Sequence, residues 1–260
     1  MKYLGPLFLT VFFVFLAGFT GDKKNFESIQ KGYPRVHVAY SDKEDYINQK
    51  CHILGIPEAD FGNIYIRAFK QERILEIWVQ KPDGKYVLFD QYRVYSNAGK
   101  LGPKRAQGDY QVPEGFYYIT EFNPASSYYL SLGINYPNES DCKLSGSCKK
   151  GGDIFIHGSV VSSGCLAMSD YYIEDIYVCC VKARSHGQQK IPVHIYPFKM
   201  TEENMESYTQ LPEFKQHTKF WKNLAQGYKI FENNCCLPQI NVGQDGYYEF
   251  SDASTADITK

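Results

Sequence analysis

The stretch "IHGSVVSSGCLAMSD", residues 156–170, sets His157 and Cys165 eight positions apart with only small and branched residues between them. Fully extended, eight residues would span roughly 26 Å at about 3.3 Å each, so the two side chains meet only if the chain doubles back. The local sequence supplies the means. His157 ends a strand-like run, "DIFIH" (153–157), Gly158 follows it, and Gly164 directly precedes Cys165. Beyond the thiol, "SDYYIEDIYVCCVKAR" (169–184) predicts a helix, with Ser169 or Asp170 as its N-cap. Ile173, Ile176, Tyr177 and Cys180 recur at helical spacing, which turns Cys180 toward a core and Cys179 away from it. The segment reads as strand, glycine fold-back, thiol and helix start.

That order suits cysteine chemistry. A free thiol titrates near pH 8.5, and a neighbouring imidazole lowers this by forming an ion pair. Backbone N–H groups near a helix start can face a developing oxyanion, which here points to Ser163, Gly164 and Cys165. Residue type alone leaves a second reading open. A buried cysteine is often a small apolar core residue, and a histidine at a strand end is often only hydrogen-bonded.

Upstream, "NIYIRAF" (63–69), "ILEIWVQ" (74–80) and "YVLFDQYRV" (86–94) read as three antiparallel strands, separated by "KQE" (70–72) and "KPDG" (81–84). Residues 96–122, laden with glycine and proline, resist regular structure until "GFYYITEF" (115–122), a further strand. Residues 123–152 read as one long loop carrying tyrosines. "IPVHIYPF" (191–198) is a closing strand in which His194 is structural. Thr201 caps a helix, residues 212–233 form a second with Pro212 in its first turn, and "PQINV" and "YYEF" flank a final hairpin. The polar segment 22–60 predicts short helices or a wrap around the domain.

The 260 residues carry 43% apolar and 22% charged side chains at a net charge of −1, the balance of a globular chain with no bias toward nucleic acid. Residues 1–21 differ. Lys2 precedes an uncharged run over 3–19, and Ala17, Gly18 and Gly21 follow, the pattern of an export signal. An uncleaved anchor is the alternative. Export makes the eight cysteines candidates for pairing. Cys142 and Cys148 bracket a turn-rich loop and form the best candidate bridge, whereas Cys179–Cys180 and Cys235–Cys236 are vicinal pairs. No CxxC spacing occurs, so no metal is expected.

His157-Gly158 followed by Ser162-Ser163-Gly164-Cys165 resembles the active-site motif of the L,D-transpeptidase family, bacterial wall enzymes with a cysteine nucleophile. "GKLGPKRAQGDYQVPEGFYYI" resembles that family's Gly-Pro-Lys…Gly-Asp…Thr-Pro-Glu-Gly segment, with Val112 at the threonine position, and "IPVHIYP" resembles its closing strand. The similarity covers roughly residues 60–198. It implies a mainly β, α+β catalytic domain (61–198) of sandwich or barrel type with a helix after the nucleophile. Flanking it are an N-terminal segment (22–60), a helical C-terminal extension with a hairpin (199–250) and a disordered tail (251–260).

The resemblance further implies that His157 takes the proton of Cys165 and that the thiolate attacks a meso-diamino acid carbonyl in a peptidoglycan stem peptide, with no cofactor. Gly158, Tyr128, Tyr129 and Lys104 are candidate substrate contacts, with Arg105 beside them. A monomer in the periplasm or cell envelope is expected, with a wall-linked protein as a further candidate partner. Two departures stand out. Ser163 replaces the histidine that many members place before Gly-Cys, and Ala167 replaces their arginine. These features, with the short His–Cys gap, resemble a murein L,D-transpeptidase-like subgroup that includes hydrolases. A hydrolase with the same site, a silent wall-binding module and a redox protein using the vicinal cysteines are the rival functions.

Overall fold

Strand β1 (Ile64–Phe69) is buried at every position, which requires cover on both faces of its sheet. Side chains alternate across a strand, and the alternation sorts this one cleanly. Ile64, Ile66 and Ala68 join one core cluster, while Phe69 joins a second and Tyr65 a third. The computed structural model describes residues 25–57, 61–148 and 151–251. The export signal expected over 1–21 and the tail beyond Ser251 lie outside the described residues. No described helix is long and apolar enough to cross a membrane.

Among the described residues ten further strands follow β1: β2 (Ile74–Gln80), β3 (Tyr86–Arg93), β4 (Ser96–Asn97), β5 (Gly115–Ser126), β6 (Tyr129–Ile134), β7 (Phe155–His157), β8 (Leu166–Ala167), β9 (Pro192–Tyr196), β10 (Gln239–Val242) and β11 (Tyr248–Ser251). The first nine form one mixed sheet in the order β3-β2-β1-β9-β5-β6-β7-β8-β4. Its outer strands β3 and β4 do not pair, so the sheet is open and the barrel alternative is corrected. The α+β class stands. Strand β5 joins the two halves: its first residues pair with β9 and the remainder with β6, and the register slips after Ile119 and after Asn123. Such slips bend a strand.

Among the described residues six α-helices accompany the strands: α1 (Phe26–Lys31), α2 (Pro34–Leu54), α3 (Glu139–Ser145), α4 (Asp170–Ser185), α5 (Glu202–Gln210) and α6 (Thr218–Asn234). The segment expected to form short helices is mostly one 21-residue helix, α2, opened by Pro34 and closed by Gly55 in the left-handed conformation. Val36, Ala39, Tyr40, Lys43, Ile47 and Cys51 form its buried stripe, which lies on α4. Helix α4 is therefore covered by the sheet on one side and α2 on the other. Cys179 is fully buried as well as Cys180, against the expectation that it faces outward.

The long loop expected over 123–152 is largely ordered structure. Strand β5 runs on to Ser126, turns back into β6, and Asn138 starts α3 through a capping box with Asp141. Cys142 and Cys148 are joined by a disulfide at the end of α3. The helix expected over 212–233 begins instead as a 3-10 turn, Pro212–His217, before α6.

Helix α6 and the C-terminal hairpin cover the second face of the sheet. Trp221, Leu224 and Tyr228 pack with Phe69, Phe116, Tyr196 and Phe198. Each fully buried large apolar side chain contributes about 1.5–3 kcal/mol. A polar bolt crosses the same interface. Lys70 Nζ donates to Glu114 Oε1 at 2.9 Å and to the carbonyls of Gly102 and Val112, and Trp221 Nε1 donates to Glu114 Oε2 at 2.8 Å. The carboxylate, fully buried, also accepts the Gly102 N–H at 2.7 Å. The irregular segment 99–114 is thereby fixed to β1 and α6.

Candidate active site

The fold-back between His157 and Cys165 ends in a parallel strand pair. Ile156 lies opposite Leu166 and His157 opposite Ala167. Paired residues of neighbouring strands face the same way, and alternate residues share a face. Extending the register one step sets Cys165 opposite Phe155, on the face that carries His157. Cys165 and His157 both line one cleft of about 330 Å³, together with Asn123, Ser126, Ser127, Tyr128, Ser131, Asp153, Phe155, Ser162 and Ser163.

Hydrogen bonds hold the nucleophile candidate in place. Ser162 Oγ accepts the Cys165 N–H at 2.8 Å and donates to the Cys165 carbonyl at 2.7 Å. The thiol sulfur accepts the Phe155 N–H at 3.3 Å and lies 3.5 Å from the Asp153 carbonyl. Gly164 has φ +121° and lies against the Gln111 carbonyl, a conformation that penalises any side chain. Two expectations change here. Cys165 leads into strand β8 and not directly into a helix, and its own N–H is engaged by Ser162. Ser169 is the N-cap of α4 but makes no side-chain cap bond. Asp170 instead accepts the Ser159 N–H at 2.7 Å and so clamps the fold-back.

His157 is buried, and its Nδ1 lies 2.5 Å from the Gly158 carbonyl. A carbonyl can only accept, so Nδ1 carries the proton and Nε2 keeps its lone pair, the tautomer a base needs. The Tyr128 ring lies over the imidazole with centroids 4.6 Å apart. Burial pushes the His157 pKa down, against an upward pull from the Gly158 carbonyl. Burial pushes the Cys165 thiol up, and the Asp153 charge adds to this, while the Phe155 N–H and Lys104 oppose it. Both shifts favour the neutral forms, thiol and imidazole. The two side chains are not hydrogen-bonded to each other, which corrects the expected ion pair.

The remaining candidates separate. Tyr128 and Ser163 line the cleft. Tyr129 does not: its hydroxyl donates to Glu174 at 2.6 Å and Arg35 lies over its ring. Gly158 is buried, and a Cβ there would come within 2.6 Å of the Tyr128 carbonyl and of Asp170, so it shapes the wall and offers no contact surface. Lys104 is buried and spends its charge on Asp109 and the Ala106 carbonyl. Arg105 pairs with Asp141 at 2.9 Å. His194 is buried in a cage of Tyr65 and Phe116 with its pKa pushed down to about 3 by burial. Sequence reasoning missed the Ser162 clamp and the Phe155 N–H. A serine three residues before the thiol is a recognisable local capping pattern, but nothing in the sequence announces the register that supplies Phe155.

A profile of the L,D-transpeptidase catalytic domain, YkuD, matches residues 66–195. The chain is also 37% identical over 200 residues to the Escherichia coli K12 protein called "Putative L,D-transpeptidase YafK", covering 76% of each chain. The chain belongs to the L,D-transpeptidase catalytic-domain family. The L,D-transpeptidase profile begins within β1 and ends within β9, so it contains the whole cleft. Among solved structures, the helical cell shape determining protein Pgp2 from Campylobacter jejuni aligns at 19% identity and a TM-score of 0.43, over 70% of this chain and 73% of that one. Bd1075 of Bdellovibrio bacteriovorus aligns at 18% identity and a TM-score of 0.38, over 66% and 63% of the two chains. Among the described residues of this L,D-transpeptidase-family chain, no group of three or more His, Cys, Asp or Glu side chains is placed to hold a metal.

Proposed function

We propose that this protein is a cysteine-dependent acyltransferase acting on peptidoglycan stem peptides in the cell envelope. The observation that carries the reading is the shared face and shared cleft of Cys165 and His157, with the histidine held in its basic tautomer by the Gly158 carbonyl. Family membership supplies the substrate class.

Substrate arrival displaces water from a cleft whose thiol is still protonated. His157 Nε2 takes the Cys165 proton as the sulfur attacks the carbonyl of the meso-diamino acid at the third stem position. Backbone N–H groups at Ser163 and Gly164 face the oxyanion. The terminal D-alanine leaves with the proton returned by the imidazolium, and a thioester remains on Cys165. An amine acceptor, deprotonated by His157, then gives a 3–3 crosslink, whereas water gives a hydrolysed stem. The same thioester serves both outcomes. The exposed rim residues Ser127 and Tyr128 leave an acceptor strand room, which favours transfer as the first reading. Hydrolysis is the second, supported by Ser163 and Ala167, where many family members carry larger polar side chains.

Incubation with defined muropeptides tests the proposal. Wild type is expected to show a mass increase on the peptide containing Cys165 and to consume tetrapeptide stems, and Cys165→Ala to do neither. Crosslinked dimers identify transfer, and shortened stems or opened crosslinks identify hydrolysis. Identical treatment of every muropeptide by wild type and Cys165→Ala would overturn it.

A further inference from the structure

Asp153 brings a negative charge to a place where a thiolate must form. It lines the catalytic cleft, its carbonyl lies 3.5 Å from the Cys165 sulfur, and its side chain is exposed. Its backbone is held at φ +56°, a region that non-glycine residues seldom occupy. The carboxylate makes no ion pair or hydrogen bond with any described residue. Among the described residues, every other side chain lining the cleft is uncharged: Asn123, Ser126, Ser127, Tyr128, Ser131, Phe155, Ser162, Ser163, Cys165 and the neutral His157. The compensating cation nearest in effect, Lys104, is buried and already committed to Asp109. The Asp153 charge opposes ionisation of the Cys165 thiol. Neutralising it from the substrate side removes the opposition.

We propose that Asp153 is an ammonium subsite of this cleft: it binds a free amine carried by the peptide substrate and, once neutralised, lets the Cys165 thiolate form. The inference deepens the acyl-transfer reading and rests on it for the identity of the substrate. A diamino acid that keeps its second amine free has the required chemistry, whereas an acylated or amidated stem lacking that charge does not. The subsite couples recognition to activation. Without a cation the thiol is held toward its protonated, less reactive form, and a correctly charged stem relieves this as it binds.

Two readouts test it, one independent of catalysis. The first compares disulfide-forming thiol reagents of opposite charge, 2-aminoethyl methanethiosulfonate (cationic) and 2-sulfonatoethyl methanethiosulfonate (anionic), with modification quantified on the Cys165 peptide by mass spectrometry. Wild type is expected to favour the cationic reagent, and Asp153→Asn to lower the cation-to-anion rate ratio by roughly three- to tenfold, the scale of a partly screened charge pair. The second compares stem peptides with the side-chain amine free or acetylated. Wild type is expected to prefer the free amine in KM, and Asp153→Asn to lose that preference. An unchanged reagent ratio overturns the subsite. An altered ratio on a protein that acts on no muropeptide upholds the charge arrangement and overturns the acyl-transfer reading instead.

Discussion

Cys165 and His157 occupy one face of a parallel strand pair yet each is bonded elsewhere, the sulfur to the Phe155 N–H at 3.3 Å and the imidazole Nδ1 to the Gly158 carbonyl at 2.5 Å. The resting site is a neutral pair awaiting substrate. An imidazolium–thiolate pair would keep the thiol reactive across neutral pH. A thiol raised by burial reacts in proportion to its thiolate fraction, about tenfold more for each pH unit below its pKa. The iodoacetamide rate at Cys165, followed by peptide mapping in the absence of substrate, is therefore expected to climb steadily from pH 6 to beyond pH 9. A plateau between pH 6 and 8 would show that the ion pair exists at rest.

Gly158 links the imidazole to the cleft wall. A Cβ at this position would come within 2.6 Å of both the Tyr128 carbonyl and Asp170 Oδ1. The first obstacle is backbone and cannot rotate aside. Gly158→Ala is expected to destabilise the fold by about 1–3 kcal/mol, the usual cost of overpacking, and to lower kcat more than it raises KM, because it shifts the base. Urea unfolding and muropeptide kinetics on the same preparation check both parts. Wild-type kcat in this variant would show that the wall can yield without moving His157.

Some of this architecture is legible in the sequence and some is not, for identifiable reasons. Strands β1 to β3, β9 and helix α4 carry period-2 or period-3.6 apolar patterns that need no partner to be read. The fold-back is legible because glycines flank it. Helix α2 is obscured because its buried stripe includes Lys43, whose charge is paired with Asp175 on α4 at 3.4 Å. The same helix explains the burial of Cys179, since a one-sided helix becomes two-sided once α2 covers it. Strand β6 is hidden in "YYLSLGI" by Gly133, where the neighbouring Phe155 and Glu121 side chains would crowd a Cβ. In the candidate site, residue types single out Cys165 and His157, but orientation sorts Tyr128 from Tyr129, and neighbours in sequence carry no such information.

Glu114 tests the junction between the irregular 99–114 segment and α6. Its carboxylate satisfies Lys70, the Gly102 N–H and Trp221 at once. Removing one charge of a buried pair leaves the other uncompensated, a loss of about 3–5 kcal/mol. Glu114→Gln is expected to fall in that range by urea denaturation, with Glu114→Ala at its upper end. A loss below about 1 kcal/mol would indicate that Lys70 is satisfied by the Gly102 and Val112 carbonyls alone.

His194 sets a pH dependence whose sign follows from burial. Its imidazole, hydrogen-bonded to the Tyr65 hydroxyl at 2.9 Å, has its pKa pushed down to about 3, so the unfolded chain binds more protons than the native one between that value and about 6.5. This contribution to stability is complete above pH 6.5 and is lost as pH falls through the window, by about 1.4 kcal/mol per pH unit. Asp141 and Asp175, each raised to about 6 by burial, act in the opposite sense: their contribution is present below the unfolded carboxylate range and is lost as pH rises toward 6. The net slope therefore mixes terms, and the difference between wild type and His194→Gln isolates one of them. Glutamine keeps a hydrogen-bonding partner for Tyr65 and does not titrate. The stability advantage of wild type over this variant is expected to shrink by about 2 kcal/mol between pH 7.5 and pH 5.0, measured by urea unfolding at both values. An advantage that is the same at both pH values would mean that His194 is protonated within the fold.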